Sequence, residues 1–177
     1  MIDMSTIDVY PSFMMDERST LLEEIQQQKP FRSASQEATL GLLRTADMVR
    51  RQIDRVLGPF GVTQQQYNVL RILRGAGSEG LPTLTVGQRM IEQTPGVTRL
   101  VDRLLKKGLV SRERATCDRR QVVCRITESG LALLSELEEP VNELDDRSLS
   151  MLSAEDLEQL IRLLDRIRLG LRAAQGS

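Results

Sequence analysis

Apolar residues recur along this chain at two periods, and the alternation between them predicts its elements. Leu40, Leu43, Ala46, Val49, Ile53 and Leu57 fall at helical spacing until Gly58-Pro59 stops the run. Ser33 with Gln36 fits the capping box that opens such a helix. Thr63 with Gln66 is a second box, followed by Tyr67, Val69, Leu70 and Leu73 on an inward face and by a glycine-rich loop from Gly75 to Gly80. Leu84 then reads as a very short strand, and Thr85 with Gln88 reads as the cap of a brief helix ending near Gln93. Thr94 is placed to cap the next helix with Pro95 at its first position, where a missing N–H does no harm. Val97, Leu100, Val101, Leu104 and Leu105 supply its core stripe, while Thr98, Arg99, Asp102, Arg103 and Lys106 lie opposite. Lys106-Lys107-Gly108 closes it with cations in the last turn and a glycine beyond.

After that glycine the period changes to two. Leu109 to Arg114 and Gln121 to Ile126 alternate as strands, and Ala115 to Arg120 form a tip between them. Helical spacing returns behind the cap Thr127-Glu128-Ser129-Gly130, through Leu131, Leu134, Leu137, Val141 and Leu144, with Pro140 expected to kink or break the run. Ser153 with Asp156 caps a last helix bearing Leu157, Leu160, Ile161, Leu164, Ile167 and Leu171. These two helices carry more apolar surface than a small core can cover, which points to burial against a second copy. Before Ser33 the pattern is weak. Pro11 and Pro30 bracket a helix over Asp16 to Gln28, read as an arm that reaches across a partner subunit.

The expected fold is therefore mostly α with a small β-hairpin wing. Residues 61–127 form a winged helix-turn-helix, 33–60 and 128–177 a helical dimerisation region, and 1–32 an N-terminal arm. Composition agrees: aromatics are only 3% and Trp is absent, which suits helices built on Leu, Ile and Val rather than an aromatic-lined sandwich. No apolar run approaches the ~18 residues that span a bilayer. With two cysteines and no Lys or Arg before Arg18, nothing suggests an oxidising compartment or a basic presequence, and the expected location is the cytoplasm.

Charge changes the picture more. From Arg89 to Arg125 ten Lys/Arg stand against four Asp/Glu, whereas from Ile126 to Ser177 five stand against eleven. A basic segment inside a chain of net charge −1 points to a local polyanion site, although a solvated helix face would read the same way. Histidine is absent, which removes the commonest general base and metal ligand, and no phosphate-loop, dinucleotide or nucleophile-elbow motif occurs. The chain reads as neither an enzyme nor a cofactor or metal protein.

A short helix, a turn and a second helix beginning Thr-Pro-Gly make a helix-turn-helix, whose second helix enters the major groove of double-stranded DNA by its N-terminal residues. Thr94, Gly96, Thr98, Arg99 and Arg103 are then the candidate contacts. Each arginine could read a guanine or hold a phosphate, and an ordinary amphipathic packing helix has the same periodicity. The hairpin adds weight: Arg112, Arg114, Arg119, Arg120 and Arg125 crowd it, and their repulsion calls for an anion. Arg112, Arg119 and Arg120 join the contact set, since a narrow minor groove attracts an inserted arginine. Asp118 suits orienting one of them through a charge-assisted hydrogen bond, or simply forming the turn.

The stretch from Thr94 to Gly130 resembles the MarR family of bacterial transcription regulators. The marks are V-T-R-L-V-D-R-L at Val97 to Leu104, K-G-L-V at Lys107 to Val110, D-R-R at Asp118 to Arg120 and I-T-E-S-G at Ile126 to Gly130, and the likeness extends from about Arg44 to Leu171. The resemblance implies a homodimer held by its terminal helices, with each winged lobe reading one half of a palindrome, Arg120 in the minor groove and Asp118 steadying the wing. Gly96 and Gln121 depart from the usual pattern, which bears on base preference rather than fold. It also implies a ligand-responsive repressor released by a small aromatic or anionic effector, for which Arg44, Arg51 and Tyr67 are possible pocket linings. The alternative is a redox-responsive regulator switched through Cys117, since Cys117 and Cys124 lie in the wing. Antiparallel pairing about Asp118-Arg119 separates them by more than the ~4.4–6.8 Å a disulfide allows, so inert wing cysteines are the simpler reading.

Overall fold

The computed structural model describes residues 20–92, 95–114 and 122–175. It is mostly helical with a small antiparallel sheet, and it divides into two compact units, 1–47 and 48–177, the division falling inside one helix.

The first unit contains α1 (Thr20–Glu24) and the first part of α2 (Ala34–Leu57). The start of α2 follows from its sequence: Ser33 Oγ accepts from Gln36 N at 3.2 Å, and the Gln36 side chain reaches back to Arg32 N at 2.7 Å. Leu21 is buried beside Gly41, and Arg44 pairs with Glu24 at 3.2 Å.

The second unit holds the rest of α2, then α3 (Gln64–Gly75), β1 (Leu81–Pro82), α4 (Thr83–Arg89), α5 (Val97–Lys106), β2 (Val110–Arg114), β3 (Val122–Ile126), α6 (Glu128–Ser148) and α7 (Ala154–Gln175). At the start of α3, Thr63 and Gln66 exchange both bonds of the capping box at 3.2 Å each. The sheet runs β1-β3-β2, with Arg112 opposite Cys124 and Leu81 opposite Cys124 on the other side. One core joins α3 (Val69, Leu70, Leu73), α4 (Val86), α5 (Leu100, Val101, Leu104) and the sheet (Val110, Cys124) to Leu134 of α6. A second joins Leu57 and Val62 to Leu137 and Val141.

Four expectations are corrected. Leu84 is not a strand: the strand is Leu81–Pro82, because Pro82 has no N–H to extend the ladder and the helix starts at Thr83. Thr85 and Gln88 consequently lie inside α4 rather than capping it. Leu105 is 39% exposed, since Leu100, Val101 and Leu104 already fill the stripe that faces the core. Pro140 does not break α6, which continues to Ser148; the loss of the N–H that would donate to Glu136 O is outweighed by the buried Leu134, Leu137, Val141 and Leu144 around it.

The join between sheet and α6 is close. The Thr127 hydroxyl donates to Gly108 O at 2.7 Å and accepts from Gly130 N at 3.1 Å, and Thr127 N donates to Leu109 O at 3.1 Å. At Gly130 a Cβ would collide with Leu109 O and stand 2.7 Å from Ile126 Cγ1, so no larger residue fits. Gly130→Ala is expected to lower stability by roughly 1–3 kcal/mol through overpacking, measured by urea unfolding.

The cap of α7 is also legible. Ser153 Oγ donates to Asp156 Oδ2 at 2.6 Å, Ser153 N does so at 3.1 Å, and Asp156 N returns to Ser153 Oγ at 3.1 Å. The hydroxyl bond, followed by the backbone bond, holds the Asp156 carboxyl below its ordinary value of 3.8. Because the folded value is the depressed one, the cap is complete above the unfolded value and is lost as pH falls through the folded value. Carboxyl NMR titration should place the Asp156 midpoint below 3.8, and Ser153→Ala should raise it.

Candidate nucleic-acid interface

The expected recognition helix is present as α5, but it begins later than its sequence suggests. Its N-cap is Gly96, at φ 141° and ψ 20°, a region that residues with a Cβ avoid. Pro95 therefore sits in the turn before the helix instead of at its first position, and no side chain caps it. Thr94, the residue read as the cap, lies outside the described residues, as do Cys117, Asp118, Arg119 and Arg120.

Three of the expected contact residues come together on one face. Thr98, Arg99 and Arg103 are exposed on α5, opposite the buried Leu100, Val101 and Leu104. Neither arginine forms an ion pair with a described residue. The C-terminal end of the same helix adds Lys106, exposed, and Lys107, whose Nζ donates to Gly61 O. With Arg103 these two lysines line a shallow cleft of ≈ 570 Å³ beside Thr63 and Gln66.

Arg112 is placed differently. Its Nη1 meets Asp102 Oδ1 of α5 at 2.7 Å, and its Nε and Nη2 are buried without a hydrogen-bond partner among the described residues. The pair ties the first wing strand to the recognition helix. Arg125, on the other wing strand, bonds Glu113 and Ser78 O at 2.7 Å each. One acidic residue of α5 and one of the wing thus hold two of the wing's arginines in place.

The proposed pocket linings are scattered by role. Arg44 is engaged by Glu24, Arg51 lies exposed on α2, and Tyr67 packs against both cores with Arg71 Cζ 5.8 Å from its ring centroid. Cys124 is fully buried, its Sγ 3.3 Å from Thr83 Oγ1, which links α4 to β3.

Sequence reading missed Leu84 and Gln88. Both line a cleft of ≈ 640 Å³ together with Pro95, Gly96 and Thr98. Their signal was hidden because Leu84 and Gln88 were assigned to a strand and a cap, whereas on one helix they are four apart and share a face. Among the described residues there is no cluster of His, Cys, Asp and Glu suited to a metal, and no helix long and apolar enough to cross a membrane.

Residues 62–122 match the sequence profile of the MarR family. A MarR transcription factor from Planctomyces limnophilus is 43% identical, over 77% of this chain and 98% of that one, with a TM-score of 0.60. The chain belongs to the MarR family. Two further solved structures share the fold. One is a MepR–DNA complex from S. aureus, 24% identical over 80% of this chain and 99% of that one, TM-score 0.69. The other is a mutant MarR from E. coli complexed with operator DNA, 23% identical over 84% and 99%, TM-score 0.67. This MarR-family chain is thereby a transcription regulator rather than an enzyme.

The Arg112–Asp102 pair makes an asymmetric prediction. Asp102 is about half exposed and can turn to water, whereas Arg112 keeps buried donors. Asp102→Ala should therefore destabilise by about 1–3 kcal/mol, since a mostly buried guanidinium that already holds two unpartnered donors loses its charged hydrogen bond at Nη1. Arg112→Met should lose under about 1 kcal/mol, as for an exposed partner left behind. Thermal unfolding of the two variants distinguishes them.

Proposed function

We propose that this MarR-family regulator is a homodimeric repressor that binds palindromic double-stranded DNA sequence-specifically and releases it when a small aromatic or anionic effector binds. The observation that carries the reading is the outer face of α5. Thr98, Arg99 and Arg103 are exposed there, the arginines without an ion pair among the described residues, on a helix whose other face is locked into the core. That arrangement suits a helix lying in the major groove, with Gly96 letting the backbone approach. The wing arginines Arg119 and Arg120, with Asp118 to orient them, complete the reading with a minor-groove contact. Arg112 then serves by positioning: held by Asp102, it fixes the wing against α5.

Dimerisation is supported by α7. Ile161, Ile167 and Leu171 share one side of it and are 45–61% exposed, and none of its described residues is buried. A helix of this length with an uncovered apolar face suits pairing with a second copy. Release of DNA on effector binding follows the resemblance, with Arg44, Arg51 and Tyr67 as the linings to alter first.

Fluorescence anisotropy with duplex from the region upstream of its own coding sequence tests the reading. Log affinity should fall linearly with log salt, with a slope of about −0.9 per neutralised phosphate. Arg99→Ala or Arg103→Ala should lose about 1–3 kcal/mol at one base position if the residue reads a guanine, or weaken all sequences equally and reduce the slope by about one if it holds a phosphate. Addition of an aromatic carboxylate should lower affinity in the same titration. Salt-insensitive or absent binding to this duplex and to random-sequence pools would sink the proposal.

A further inference from the structure

The cleft between α4 and the start of α5 brings a leucine and an amide together where neither has a structural task. Leu84 is 77% exposed in the first turn of α4, and Gln88, one turn later on the same face, is also exposed. The Gln88 amide makes no hydrogen bond with a described residue. Single exposed leucines are ordinary on protein surfaces. What distinguishes Leu84 is its neighbour: both side chains line one concave surface with Gly96 and Thr98.

Gly87 explains how they come to be there. A Cβ at Gly87 would stand 3.1 Å from Val97 Cγ2, so α4 and α5 approach closely at that point. Leu84 and Gln88 flank the contact and are carried level with the first turn of α5. The first helix of a helix-turn-helix ordinarily crosses the DNA backbone. Here its residues sit beside the turn that enters the groove.

The two side chains match the two halves of one base pair. Adenine offers N7 and the N6 amino group in the major groove, which a glutamine amide binds with two hydrogen bonds, and thymine offers a C5 methyl that an apolar side chain covers. We propose that Leu84 and Gln88 act together as a reader of one A·T pair, extending base recognition from α5 to α4. The assignment rests on the DNA-binding reading above. Neither residue is charged, so their contribution is to sequence preference and leaves the salt slope unchanged.

The test uses duplexes enriched from a random pool on the full chain, with thymines replaced singly by deoxyuridine and adenines by 7-deazaadenine. At one A·T pair per protomer, removal of the methyl should weaken the wild type about fourfold, the worth of one buried methyl group. Loss of N7 at the same pair should weaken it roughly fivefold or more. The uridine effect should vanish in Leu84→Ala and the deaza effect in Gln88→Ala, with unchanged melting temperature and salt slope. Uniform weakening of all duplexes by either variant would make the residues backbone contacts and overturn the proposal. So would base-analogue effects that persist in the variants, or none in the wild type. Failure to enrich any duplex would instead overturn the DNA-binding reading itself.

Discussion

A ten-residue helix is too short to persist in water by its own hydrogen bonds. α5 exists because Leu100, Val101 and Leu104 are buried among α3, α4 and the sheet. Everything presented on its outer face inherits its position from that burial. Each of these side chains gains roughly 1.5–3 kcal/mol from leaving water, enough in sum to outweigh the ordering of a short segment. Polar residues such as Thr98, Arg99 and Arg103 can then project into solvent without the helix depending on them.

Burial fixes the helix in the core, but it does not fix its rotation or its distance from the wing. Polar ties do that. Asp102 reaches across to Arg112 on β2, and Lys107 reaches Gly61 beyond the end of α2. Thr127 holds the Gly108 turn against the first turn of α6 with bonds on both sides of its hydroxyl. Each such bond contributes only about 0.5–1.5 kcal/mol. Their value is geometric: helix, turn, strand and following helix are constrained at successive points, and Gly130 permits the closest approach among them.

The charges in this region divide into two populations. Arg112 and Arg125 are taken up by Asp102 and Glu113, whereas Arg99 and Arg103 have no partner among the described residues. A basic count over the segment cannot separate them. The structural arginines place the elements, and the uncommitted ones carry the field outward. The same distinction applies to leucines, since Leu104 and Leu84 differ in exposure from none to 77% while lying on adjacent helices.

The sequence by itself determined the helices with strong period and clear caps. The boxes at Ser33, Thr63 and Ser153, and the cap at Thr127, are local: the side chain and the N–H it satisfies lie within four residues, so spacing alone reveals them. The stripe of α5, the wing strands and the family were legible for the same reason. The start of α5, the strand at Leu81–Pro82 and the helical placement of Leu84 and Gln88 were not. They depend on Gly96 adopting a left-handed φ, on Gly80, where a Cβ would stand 2.5 Å from Cys124 O, and on β1 pairing with a strand some forty residues away. Such contacts join distant segments and leave no period behind. Which arginines are bound and which are free was decided there too, because an ion pair between α5 and β2 is a property of their packing and of no local run of residues.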